Sequence, residues 1–287
     1  MQIVPDNGPP PDVTSALIRA GLDGAGAVWT PLRGGRTNRV WRMQTPTRRV
    51  VVKLYRDDGA TPLFPNDAGA EAAALRALAG HALAPGLLAD LDTESGRVLI
   101  CDYLEGASAP DAPAAVGALL RRLHDIPAPT GLRCLAPGDT AILNAGDRML
   151  RGLAGDDAGR LRALRPGSIA PGQVTPRFLH GDPVPANVMA TAKGLRLIDW
   201  QCPAWGDPVE DLAIFLSPAM QKLYGGGLLG RDRACAFLAG YGHSARVHRY
   251  RDLAKAFHWR MAAYCLWKAA RGDAEYAAAF GLEVAML

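Results

Sequence analysis

The sequence predicts an α+β protein of two lobes, a small strand-rich lobe over residues 1–104 and a larger, mainly helical lobe over residues 105–287. Strand-like segments rich in β-branched residues crowd the first part of the chain. Residues Ala107 to Pro113, made of Ala, Ser, Pro and Asp, read as a linker. Beyond it, helical patterns dominate, with one β-like interruption from Phe178 to Trp200.

In chain order, Val13 to Leu22 reads as a short helix behind a proline-rich tail. Val28 to Leu32, Arg39 to Met43 and Arg49 to Tyr55 read as strands, the last for its run of valines, with Gly34-Gly35 as the turn between the first two. Asn66 to His81 turns helical around Ala70, Ala72, Ala73, Ala74 and Leu75. Gly86 to Asp92 and Gly96 to Tyr103 are further strands. The expected helices of the second lobe are Ala114 to Asp125, Asp207 to Leu216, Asp232 to Gly240 and Val247 to Arg271, with Pro218 stopping the second of these. The first of the two late helices is short; the last carries apolar residues on two sectors, which suggests burial on two sides. Asp207-Pro208-Val209-Glu210 reads as a helix start, with Asp207 as N-cap, Pro208 at the first helical position and Glu210 completing a capping box.

Composition excludes several classes of protein. The 287 residues are 49% hydrophobic and 21% charged, as in ordinary globular chains, and the formal charge is +4. The arginines are scattered, so no concentrated basic face for nucleic acid is expected. The five cysteines are widely spaced without a Cys-x-x-Cys pair, which argues against a disulfide framework or a zinc site and fits a reducing, cytoplasmic location. Neither an apolar signal segment nor a membrane-spanning run nor a lipidation signal is seen, so no membrane partner is expected.

The strongest chemical signal is His180-Gly181-Asp182, then Asn187, then Leu197-Ile198-Asp199-Trp200. Phosphoryl transfer needs a carboxylate that orients an attacking hydroxyl and takes its proton, and oxygen ligands for metal ions that bridge the phosphates. Asp182 suits the first task, and Asn187 and Asp199 suit the second. Any one of them alone reads as a polar loop residue; the ordered set with both spacings does not. A weaker signal lies upstream. The turn Gly34-Gly35-Arg36-Thr37-Asn38 lets backbone amides approach phosphate oxygens, although Gly-Gly turns also simply close hairpins. It is not a P-loop, since no Gly-x4-Gly-Lys-Ser/Thr occurs. Lys53 sits inside an apolar strand and Glu71 on the following helix; an ammonium held by a carboxylate can grip nucleotide phosphates.

Together these residues resemble the aminoglycoside phosphotransferase and choline kinase group of the protein-kinase-like fold. The resemblance runs in order through the Gly turn, Lys53, Glu71, Leu99 to Gly106, Leu123-His124, His180 to Asn187, Ile198-Asp199, Gly206-Asp207-Pro208 and Asp211-Leu212-Ala213. It implies ATP between a β lobe and a helical lobe. Gly34, Gly35, Thr37 and Asn38 would lie at the phosphates, with Lys53 as phosphate-binding lysine and Glu71 as its partner. Backbone groups at Asp102, Tyr103 and Leu104 would meet adenine. Asp182 would be the base, and Asn187 and Asp199 the Mg2+ ligands. Asp211 is similar to the family's buried acid that braces the catalytic loop. His180 is expected to shape that loop and His124 to be structural.

The acceptor is expected to be a small-molecule alcohol. Gly35 to Trp41 looks like the Gly-turn region of choline, ethanolamine and thiamine kinases, which makes an amino alcohol or thiamine the leading candidate, with an aminoglycoside or a sugar as the alternative. Trp205 and Trp259 are the candidate rings for a cationic substrate, set against core packing for most late aromatics. Gln201 stands where choline and thiamine kinases commonly carry an acid. A protein kinase is disfavoured by the lack of an Ala-Pro-Glu-like activation segment after Asp199. A nucleotide-binding module without turnover is disfavoured by the presence of Lys53, Asp182, Asn187 and Asp199 together.

Overall fold

The valine run at residues 49–54 decides the architecture of the first part of the chain. Its side chains alternate between two faces, so one strand serves two different cores. The computed structural model describes residues 8–22, 26–32, 37–108, 111–168 and 174–287, and the chain divides into two units, Met1–Glu105 and Gly106–Leu287.

The first unit runs α1 (Pro11–Arg19), β1 (Val28–Pro31), β2 (Arg39–Gln44), β3 (Arg49–Leu54), α2 (Ala68–Ala77), β4 (Leu87–Thr93) and β5 (Gly96–Asp102). The strands form one antiparallel sheet in the order β1-β2-β3-β5-β4, with β3 at its centre. Val50, Val52 and Leu54 face a core built with Trp41, Met43, Val98, Ile100 and, from α1, Val13 and Leu17. Burying each such side chain is worth about 1.5–3 kcal/mol, which is what docks α1 on the sheet. The opposite face carries Lys53, Leu99 opposite it, and Tyr55, and it packs towards Ala68 and Ala72 of α2. Small alanines let α2 approach closely, and the Asp67 carboxylate caps it by accepting from the Ala70 amide at 2.9 Å.

The second unit runs β6 (Ala107–Ser108), α3 (Pro113–His124), β7 (Arg133–Cys134), α4 (Asp139–Leu150), α5 (Asp156–Ala163), β8 (Arg177–Leu179), β9 (Val188–Thr191), β10 (Gly194–Leu197), β11 (Ala204–Gly206), α6 (Val209–Leu216), α7 (Pro218–Gly225), α8 (Arg231–Tyr241), α9 (Ser244–Ala269) and α10 (Ala274–Val284). Two small sheets, β10-β9-β6 and β7-β11-β8, sit among the helices. Helix α9 is the hub. It packs against α4, α5, α6 and α10, and every residue from Ala256 to Cys265 is buried, as its two apolar sectors require. None of the described helices is long and apolar enough to cross a membrane.

Some local expectations are corrected. The first described residues of the linker form β6, which pairs with β9 through Ala107–Ala190 and Ser108–Met189. Helices α4, α5, α7 and α10 lie outside the four helices expected of the second lobe. Pro218 does end α6, and it also opens α7 behind the N-cap Ser217. The capping box at α6 does not form. The helix begins at Val209, and Asp207, one position outside the cap, accepts from the Val209 amide at 3.2 Å. Glu210 instead takes a two-pronged contact from Arg260 of α9, at 3.1 and 2.6 Å. A buried guanidinium fork outcompetes a local backbone amide for that carboxylate.

Candidate active site

In the strand-rich unit, β3 and α2 present an ammonium and a carboxylate to each other. Lys53 Nζ donates to Glu71 Oε2 at 2.6 Å, and both residues are buried. The Tyr55 hydroxyl donates to the same oxygen, and Lys53 Nζ lies 5.0 Å from the Tyr55 ring centroid. Tyr55 follows Lys53 by two positions on the same strand face, so the strand repeat itself aligns both donors on one acceptor. The sequence reading missed Tyr55; its period-2 spacing from Lys53 was the available signal.

Gly34 and Gly35 of the candidate phosphate turn lie outside the described residues. Asn38 pairs with Asn66 amide to amide, Nδ2 to Oδ1 at 2.8 Å and the reverse at 2.9 Å, and its Oδ1 also accepts from the Arg56 amide at 3.1 Å. Its side chain therefore fixes the approach to β2. The Thr37 methyl packs near Gly59. At the other end of the sheet, the Asp102 amide donates to Gly86 O at 2.9 Å and the Tyr103 amide points at Arg49 O at 3.4 Å. Leu104 follows them, half-buried.

In the helical unit, the turn His180-Gly181-Asp182 leaves β8 over a buried carboxylate. Asp211 of α6 is fully buried and accepts from three donors: the His180 amide at 2.9 Å, the Gly181 amide at 2.9 Å and His124 Nε2 at 3.1 Å. Burial alone would raise its pKa. The hydrogen bonds from His124 and from the His180 amide outweigh burial and hold the carboxyl below its ordinary range. Gly181 has φ +80°, and a Cβ there would stand 2.0 Å from Cys202 O, so only glycine lets the turn lie against the loop after Asp199. His180 uses both ring nitrogens on the backbone: Nε2 lies 3.0 Å from Ile198 O, and Nδ1 accepts from the Asp182 amide at 3.2 Å. That assigns the neutral ring with its proton on Nε2, a shaping role for the loop.

Asp182 is half-buried. Pro183, Val184 and Pro185 behind it are buried, and a 3-10 turn at Pro185–Asn187 brings the chain back. Asn187 Nδ2 donates to Asp182 O at 2.9 Å and reaches Asp182 Oδ2 at 3.4 Å. The Ile198 amide donates to Asn187 O at 2.9 Å, which ties the loop to the residue preceding Asp199. Asp199 is half-buried and sits at φ +62°, in the left-handed region that only Ala82 shares among described non-glycine residues. Trp200 Nε1 donates to Leu197 O at 3.0 Å and closes the turn around it. A non-glycine residue held in the left-handed region between hydrogen-bonded neighbours is a common mark of a functional position. Asp182, Asn187 and Asp199 thus belong to one bonded pair of loops.

Among the described residues, no group of three or more His, Cys, Asp or Glu side chains forms a metal cage. The donor set still fits magnesium, which keeps several waters and takes one or two carboxylates plus substrate phosphates. With Nδ2 directed at Asp182, the Asn187 carbonyl oxygen is its remaining ligand atom.

The two aromatic candidates separate. Trp205, on β11, is half-buried. Trp259 is fully buried and donates from Nε1 to Leu161 O at 2.8 Å. It is part of the core, and the reading of Trp259 as a substrate ring is corrected accordingly.

The chain belongs to the phosphotransferase enzyme family, whose model matches residues 28–257. No curated protein matches it by sequence. Solved structures share its fold. A choline/ethanolamine kinase family protein from Mesorhizobium loti has a TM-score of 0.65 at 19% identity, covering 92% of this chain and 90% of that one. Choline kinase LicA from Streptococcus pneumoniae has a TM-score of 0.60 at 17% identity, covering 91% and 95%. A thermostable mutant of aminoglycoside phosphotransferase APH(4)-Ia, in ternary complex with ADP and hygromycin B, has a TM-score of 0.66 at 15% identity, covering 94% and 95%. The family makes the chain a phosphotransferase, and the solved structures show the fold it shares with them.

Proposed function

We propose that the chain transfers the γ-phosphate of ATP to a hydroxyl of a small metabolite, with Asp182 as the base. The observation that carries this reading is the bonding of Asp182, Asn187 and the Ile198-Asp199 turn into one unit above Asp211. Asp182 would orient the acceptor hydroxyl and take its proton. Asn187 and Asp199 would hold magnesium, which when bound neutralises phosphate charge. Lys53, oriented by Glu71, would bind the phosphates. The amides of Asp102 and Tyr103 are engaged in the sheet, so an adenine edge would use their carbonyls or Leu104.

An amino alcohol such as choline or ethanolamine, or thiamine, is the leading acceptor. Two late acids count against a polycationic aminoglycoside. Glu283 is buried against His258 at 2.6 Å, and Asp273 pairs with Lys268 at 3.2 Å, so neither is presented to a polyamine. Gln201 supplies no charge, and Trp205 is the remaining candidate ring. ATP consumption measured across choline, ethanolamine, thiamine, sugars, aminoglycosides and peptides tests the reading. Magnesium-dependent turnover with a small alcohol supports it; turnover with peptides alone contradicts it.

A further inference from the structure

Asp211 does not end the hydrogen-bond chain beneath the catalytic turn. His124, the last residue of α3, is fully buried and lies with Nδ1 2.8 Å from the hydroxyl of Tyr241, the last residue of α8. Arg246 Nη1 of α9 donates to that same hydroxyl at 3.0 Å. The chain Arg246–Tyr241–His124–Asp211 thus runs from a half-exposed guanidinium to the carboxylate that holds the His180 and Gly181 amides.

We propose that Tyr241 is a positioning residue that acts through His124 and Asp211 on the turn carrying Asp182. This rests on the reading of Asp182 as the base. The direction of the chain follows from donor chemistry. A guanidinium only donates, so the Tyr241 oxygen accepts from Arg246 and its proton points at His124 Nδ1. The ring proton is then on Nε2 and points at Asp211, which is ionised. The opposite tautomer would place two donors on the hydroxyl and turn the Nε2 lone pair, not a proton, toward the carboxylate. Burial pushes the Tyr241 hydroxyl up to about 12, so it remains a donor throughout the working range.

The frame around the chain is stiff. Helices α3 and α8 touch backbone to backbone, since a Cβ on Gly117 would lie 2.1 Å from Phe237 O and one on Gly240 would lie 2.0 Å from Ala114 O. His124 and Tyr241 also meet edge to face, with centroids 5.6 Å apart. The titratable and charged groups around this chain are Arg121 and Asp125 from α3, His243 and Arg246 from the start of α9, and His180 and Asp211 on the site side.

Tyr241→Phe keeps the ring and removes the hydroxyl. The expected result is a fall in kcat of about tenfold with KM for ATP changed by less than about twofold, because the base is misplaced and nucleotide binding is not. In two-dimensional NMR, the His180 and Gly181 amide resonances shift, and the His124 ring changes from a pure Nε2–H tautomer to a mixture. Arg246→Ala, made at the half-exposed end of the chain, gives a smaller change in the same direction, and Arg246→Lys restores it. Unmoved amides, an unchanged kcat, or a loss confined to KM or to stability overturns the proposal. If the unaltered chain transfers no phosphate, the kinase reading fails, and the amide and ring signals still decide whether Tyr241 sets the turn.

Discussion

Each unit holds a buried carboxylate that gathers several donors, and the two do different work. Glu71 takes the Lys53 ammonium and the Tyr55 hydroxyl, both on side chains. Asp211 takes two backbone amides and a histidine. A side-chain donor can rotate away and be exchanged for a phosphate oxygen, so on the proposed reading the first arrangement would orient a binding group. A backbone amide can leave only if the chain moves, so the second fixes the shape of a loop. The contrast teaches that one residue type can hold a charge or hold a fold, according to what faces it.

Substitutions at the two carboxylates should therefore separate. Asp211→Ala has the largest expected effect. It leaves two buried amides and His124 without an acceptor and should lower stability by about 3–5 kcal/mol, read as a shift in the urea midpoint, with turnover lost as well. Lys53→Ala leaves the buried Glu71 carboxylate with the Tyr55 hydroxyl and should lower stability by less, about 1–3 kcal/mol, while raising KM for ATP by about tenfold or more. A comparable loss of stability in both variants would break the contrast. Tyr55→Phe should be the mildest, raising KM for ATP about two- to threefold, since Glu71 keeps Lys53 and loses one hydrogen bond.

Acid should expose the same difference. The Asp211 carboxyl titrates below its ordinary range in the folded chain because the His124 hydrogen bond and the His180 amide overcome the opposing effect of burial. A lowered folded value means that its stabilisation is complete above the unfolded carboxylate value of about 3.9 and is lost as pH falls from there through the folded value. Urea midpoints measured from pH 6 downwards should fall more steeply below about pH 4 in the native chain than in Asp211→Asn. Parallel curves would remove Asp211 from the acid-sensitive groups.

The sequence made some of this legible and hid the rest for physical reasons. The valine run of β3 announced a strand, though not its central place, and the change from strand-like to helical patterns announced the α+β class. The types and spacing of Asp182, Asn187 and Asp199 pointed to phosphoryl transfer. The bracing role of Asp211 was legible only through the family resemblance, because two of its three donors are amides, which every residue has. The left-handed backbone of Asp199 also leaves no mark in residue identity. Glu210 matched a local capping pattern, yet Arg260 on α9, remote in sequence, won it. Trp259 fell on the second apolar sector of a helix that packs on several neighbours, and only the fold shows that this sector faces α5 through Leu161 O.

The central claim is that Asp182 removes the acceptor proton while other groups bind the nucleotide. Calorimetric titration of Asp182→Asn with ATP and magnesium, beside its steady-state turnover on whichever alcohol the native chain accepts, tests it most directly. The account predicts an ATP affinity within about threefold of native and a turnover lowered by about 10²–10⁴. Native turnover in that variant would contradict it.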